Sequence, residues 1–319
     1  MNDESSTPRI PPLATGAFLV LALGLAWLVA LPLWLGPGLA TPLASPLLSV
    51  MMYTPAVAVL IVMLVLRPVP QGQRLRFLGI WPLRPAKRVV WLSVIAVFGT
   101  FLVVFLALAI AVAFGWITLD LVHFSGFAEA LAAGPAGAAE LPPPGLLVLV
   151  QLIAMPFAAV TVNALAAFGE ELGWRGFLVP ALRQHGTWPA LLISGALWGL
   201  WHAPIILLGY NFGRTDITGV LLMIAGCIAW GVLLGWLRLR SASMWPAVFA
   251  HGALNAAAGI PFVLQAAGTP ADPALVIALG ASGWIAGAVV VVVLLLTGQF
   301  RRQPQLAGPR APQPPVPQR

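Results

Sequence analysis

Long apolar runs separated by short polar connectors fill most of this chain. A transmembrane helix needs about 20 consecutive, mostly apolar residues. Runs of that kind lie at about 13–35, 47–66, 89–114, 146–168, 188–208, 217–237, 244–264 and 274–296. The pattern predicts an all-α, polytopic transmembrane helix bundle of about eight spans. The first run is longer than the apolar stretch of a signal peptide, about 7–15 residues. It also follows Asp3 and Glu4 rather than a basic segment, so it is expected to remain as a span.

Composition supports the same class. The chain has 60% hydrophobic and 8% charged residues, against about 45–50% and 25% in a soluble domain. No stretch has the composition of a separate soluble domain. The expected organisation is a tail over 1–12, a membrane domain over 13–300 and a disordered, proline-rich tail over 301–319.

Charge then orients the bundle. Arg67, Arg74, Arg76, Arg84, Lys87 and Arg88 fall between the second and third runs. Arg175 and Arg183 follow the fourth, Arg238 and Arg240 the sixth, and Arg301, Arg302, Arg310 and Arg319 the last. The alternate connectors hold Asp120, Glu129, Glu140, Asp216 and Asp272, with Arg214 as their cation. Lys/Arg excess marks the cytoplasmic side, so both termini are expected there. The net charge of +7 is explained by these connectors and calls for no nucleic acid. The 67–88 connector also suits contact with anionic headgroups, although topology alone explains it. The sole cysteine, Cys227, is expected to be a small buried hydrophobe.

Against this apolar background a few polar groups stand out. Glu170 and Glu171 are adjacent at the end of an apolar run, in a chain with nine acids. A charge at the bilayer centre costs about 2.5–3.5 kcal/mol even on insertion scales, so it needs partners. Arg175 lies four residues after Glu171, the spacing of a helical ion pair. It fits a boundary pair as well as a site. His202 follows Trp198 by one turn, and His251 precedes Asn255 by one turn. Each histidine taken alone is as well explained by a structural hydrogen bond. His123 and His185 receive no role. Gly195-x-x-x-Gly199 and Gly283-x-x-x-Gly287 allow close helix contact.

Taken together, the motifs resemble the CPBP family of intramembrane proteases, also called the CAAX protease and bacteriocin-processing, or Abi, family. Its Glu-Glu-x-x-x-Arg motif is matched by Glu170, Glu171 and Arg175. Its aromatic-x-x-x-His motif is matched by Trp198 and His202, with Trp where the family often has Phe. Its His-x-x-x-Asn motif is matched by His251 and Asn255. The family-like core covers about 145–265.

The resemblance implies an intramembrane endopeptidase acting on a membrane-associated protein or peptide. Prenylated CAAX proteins are the substrates of one branch. Glu170 would be the general base, with His202 holding the water. His251 and Asn255 would stabilise the oxyanion, and Glu171 would orient the site or pair with Arg175. Arg175 and Trp198 are expected to support the site. No cofactor is expected. The alternative is a zinc set of Glu170, His202 and His251 with an open fourth position. A non-catalytic immunity or scaffold protein of the same family, and a proton relay or transporter, are further readings of the same residues. Arg-, Ala- and Pro-rich usage with one lysine points to a prokaryotic plasma membrane. Nothing in the sequence sets an oligomeric state.

Overall fold

The structure is a computed structural model in which residues 9–134 and 141–301 are described. The tail through residue 8, Glu140, and the tail from 302 onward, with Arg302, Arg310 and Arg319, lie outside the described residues. The described residues form helices and no strand. Helices α1 (Pro12–Leu35), α2 (Ala44–Met51), α3 (Thr54–Val65), α4 (Arg74–Leu78), α5 (Ala86–Ala113) and α6 (Ser125–Ala132) form the N-terminal part. Then come α7 (Pro144–Val160), α8 (Val162–Glu171), α9 (Val179–Leu182), α10 (Thr187–Trp201) and α11 (Ala203–Ile206). Helices α12 (Ile217–Ser241), α13 (Trp245–Ala257), α14 (Ile260–Leu264), α15 (Pro273–Val276) and α16 (Ala281–Leu296) complete the bundle.

Small residues decide which face of a helix turns inward. In α1 the buried stripe is Ala14, Phe18, Ala22, Ala26, Ala30 and Leu33, spaced as one helix face. Leu13, Val20 and Leu28 on other faces are exposed, as lipid-facing residues would be. Close packing recurs at Gly199, where an added Cβ would come within 2.5 Å of the Ile224 Cα in α12. The expected contact through Gly195 and Gly199 is therefore made, and α10 lies tight against α12.

Among the described residues, six helical stretches are long and apolar enough to cross a membrane: Pro12–Leu35, Ala44–Val65, Ala86–Ala113, Ile217–Ser241, Trp245–Leu264 and Pro273–Leu296. A seventh results if α7 and Val162–His185, bent by 41°, count as one span. The run expected at 188–208 takes another form. Its helix α10 has 15 residues, about 22 Å at 1.5 Å per residue, and gives way at His202 to the short α11. The run expected at 146–168 breaks at Thr161 and resumes as α8, which ends at Glu171. Arg175 and Arg238, read from the sequence as connector cations, are each 1% exposed inside helical segments.

The bend between α7 and α8 falls at Thr161, whose backbone (φ −116°, ψ −98°) is not helical. Neighbouring side chains satisfy the carbonyls that the break releases. Thr161 Oγ1 donates to the Phe157 carbonyl at 2.6 Å, and Asn163 Nδ2 donates to that of Ala158 at 3.3 Å. Helix α13 sits against this break at Gly252, whose missing side chain leaves room for the Ala159 carbonyl. After Glu171 the chain widens into a π-helical turn, Leu172–Leu178, all of it buried. π-Turns often occur at functional sites.

Candidate active site

Glu170, Arg175, His202 and His251 converge around the Trp198 ring, and Glu171 joins them through Arg175 and His251. Glu170 and Glu171, at the C-terminal end of α8, are 2% and 0% exposed. The two face different partners because successive helical residues point about 100° apart. Glu170 Oε2 accepts from Trp198 Nε1 at 2.7 Å. Glu171 Oε1 accepts from Arg175 Nη1 at 2.7 Å and from His251 Nδ1 at 2.9 Å. The Arg175 guanidinium carbon also stands 4.2 Å from the Trp198 ring centroid, a cation–π distance.

The two histidines flank the same indole. Ring centroids of His202 and His251 lie 5.9 and 5.3 Å from that of Trp198. His202 caps the end of α10, one turn after Trp198. Its Nδ1 stands 2.9 Å from the Trp198 carbonyl. A carbonyl only accepts, so this contact requires the proton on Nδ1 and leaves a lone pair on Nε2 in the neutral ring. The contact of His251 Nδ1 with the Glu171 carboxylate sets the same tautomer there.

The free atoms of the cluster differ in access. Glu171 Oε2 is closed off from solvent without a partner, as are Arg175 Nε and Nη2. Glu170 Oε1, His202 Nε2 and His251 Nε2 make no hydrogen bond with described residues, yet they are not among the closed-off atoms. Asn255, one turn beyond His251 on α13, is half-buried, and its side chain makes no hydrogen bond with described residues. The cluster therefore holds two unlike carboxylates: Glu171, engaged through Oε1 with Oε2 closed off, and Glu170, held through Oε2 with Oε1 not closed off. Among the described residues, no three His, Cys, Asp or Glu side chains form a group that could hold a metal ion.

Two supports escaped the sequence reading. Arg238 Nε donates to the Arg175 carbonyl at 3.0 Å and its Nη2 to the Phe77 carbonyl at 2.7 Å, tying α12 to the π-turn and to α4. Trp201 Nε1 donates to Thr54 Oγ1 at 3.0 Å, and its ring lies edge-on to His202 at 4.6 Å. The available signal for Arg238 was its place in the last turn of an apolar run. Nothing local marked its partners.

The fold and this cluster define a membrane-embedded helical protein with a buried acid–histidine site. The family model "Type II CAAX prenyl endopeptidase Rce1-like" matches residues 152–257, about a third of the chain. A "CAAX prenyl protease 2" of Methanococcus maripaludis is 30% identical over 97 residues, 28% of this chain. The match spans 36% of that relative's length. Glu170, Glu171, Arg175, Trp198, His202, His251 and Asn255 all fall inside the family-model match.

Proposed function

We propose that this protein is an intramembrane endopeptidase that hydrolyses a peptide bond of a membrane-associated protein or peptide. It resides in a prokaryotic plasma membrane with both termini in the cytoplasm. The observation that carries the reading is the unequal state of the two glutamates. Glu171 is held through Oε1 by Arg175 and His251, whereas Glu170 is held through Oε2 alone, by the Trp198 indole that both histidines flank. The family-model match supports the same activity.

The reaction follows from these groups. A water molecule gives one hydrogen bond to Glu170 Oε1 and one to the His202 Nε2 lone pair. Its oxygen then bonds to the scissile carbonyl carbon while Glu170 takes a proton as general base. The carbonyl oxygen becomes an oxyanion, stabilised by donors from Asn255 and His251. His251 Nε2 donates only from the charged ring, because its Nδ1 proton is already directed to Glu171. A charged ring there would sit against the Glu171 carboxylate. Glu170 returns its proton to the amide nitrogen, the C–N bond breaks, and a carboxylic acid and an amine leave. No metal takes part in this scheme.

The test is a cleavage assay with the full chain reconstituted in vesicles carrying membrane-anchored peptides, prenylated and unprenylated. Cleavage in heavy-oxygen water should place the label in one new carboxyl group, and a strong chelator should leave the rate unchanged. Loss with chelator and return with zinc would replace this scheme by the metal-dependent one. No cleavage of any membrane substrate, across proteomes with and without the protein, would favour a non-catalytic role.

A further inference from the structure

A second polar site lies outside this cluster. An open cavity of about 420 Å³ is lined by Leu64, Arg67, Val69, Pro70, Gln71 and Arg74, with no carboxylate among them. It sits where α3 leaves its apolar run. Leu64, Val65 and Leu75 nearby are 61%, 70% and 53% exposed, as expected of a surface at the edge of the hydrocarbon.

Both arginines are held by the backbone. Arg67 Nε donates to the Leu64 carbonyl at 3.1 Å, and Arg74 Nε donates to the Val69 carbonyl at 3.2 Å. Their Nη atoms make no hydrogen bond or ion pair with described residues. Anchoring through Nε fixes the planar fork and leaves its outer donors free, which suits bidentate recognition of a phosphate. Arg67 ends α3 in the left-handed region, at φ +48°. A non-glycine residue is uncommon there, and glycine would end the helix at lower conformational cost. The turn instead carries a guanidinium into the cavity wall.

The geometry points to a phosphate-binding site at Arg67 and Arg74, its phosphate carried by the headgroup of an anionic lipid. Leu64 and the exposed apolar end of α3 supply the wall along which an acyl chain would lie. The same donors accept free phosphate, so the experiment separates the two sources.

Native mass spectrometry of the solubilised full chain would measure phosphatidylglycerol and phosphatidylcholine binding. The main variant is Arg67→Gly with Arg74→Gln; glycine suits the backbone at 67, so folding should persist. The control, Arg84→Gln with Lys87→Gln, removes equal charge from exposed positions outside the cavity. Two arginines at about 1 kcal/mol each correspond to about a 30-fold loss of phosphatidylglycerol affinity. Phosphatidylcholine binding should not change, and the control should bind like wild type. In wild type, added lipid should slow amide exchange across 67–78, a readout independent of the variants. Displacement by inorganic phosphate would assign the site to a soluble phosphate; retention of lipid would assign it to the membrane. An equal loss in the control, or no loss in the main variant, would overturn the site.

Discussion

One oxygen of Glu171, Oε1, accepts from both Arg175 Nη1 and His251 Nδ1, at 2.7 and 2.9 Å. This carboxylate fastens the π-turn that follows α8 to α13, and it is 0% exposed. Removing one partner of a buried pair strands the other charge and costs about 3–5 kcal/mol. Glu171→Ala and Arg175→Ala should each lower the thermal midpoint in detergent substantially. The double variant should lose clearly less than the sum of the two. Additive losses would mean that the pair is not coupled.

Arg238 supports the same turn from the other side. Its guanidinium holds the carbonyls of Arg175 and Phe77. Hydrogen bonds from a charged donor are worth about 1.5–3 kcal/mol each. Arg238→Met should destabilise the protein by a few such units and reduce hydrolysis, although Arg238 touches no reacting group in the scheme. Thermal unfolding beside the cleavage rate checks this. A variant as stable as wild type would remove Arg238 from the account.

Gly252 lets α13 press against the α7–α8 break, where an added Cβ would collide with the Ala159 carbonyl and stand 2.9 Å from the Ala164 nitrogen. Gly252→Ala must push the His251 helix outward. Overpacking of this kind costs about 1–3 kcal/mol, and the shift of His251 should reduce hydrolysis more than stability alone would. Unchanged rate and midpoint would show that the contact is slack.

The loop after α5 supplies a pH-dependent element. Asp120 accepts from the backbone N–H groups of Val122, His123 and Ser125. The bond from His123, with further help from Ser125, holds its carboxyl well below the ordinary carboxylate range. Because the folded value is depressed, its contribution is complete above the unfolded value of about 3.9 and disappears as pH falls through the folded one. Amide protection at His123 and Ser125, relative to intrinsic exchange, should therefore decline only in acid. Asp120→Asn should weaken it at neutral pH. Equal protection in the variant would contradict the assignment.

Much of the site was legible because its residue types break an apolar background at helical spacing. Glu171 with Arg175, and Trp198 with His202, are four apart and meet as that spacing predicts. The spans at 13–35, 89–114 and 217–237 were equally plain, since length and apolarity suffice. The break at Thr161 was not, because no proline or glycine marks it and the packing of α13 stabilises it. The early end of α10 at His202 did have a local marker, Pro204 two residues on, but apolar residues continue into α11 and the run reads as one span. The burial of Arg175 and Arg238 was misjudged because an arginine between apolar runs usually meets water. Here Arg238 finds its acceptors 63 and 161 residues away, which no local pattern reveals.

The central claim is that Glu170, through Oε1, activates the hydrolytic water. Glu170→Gln keeps shape and leaves an acceptor for Trp198 but removes the base. The most direct measurement is the cleavage rate of this variant against wild type, on the same substrate, after thermal unfolding has shown both to be folded. The account predicts a fall of about 10²–10⁴-fold, the usual worth of a general base. A folded Glu170→Gln protein that cleaves at the wild-type rate would contradict it.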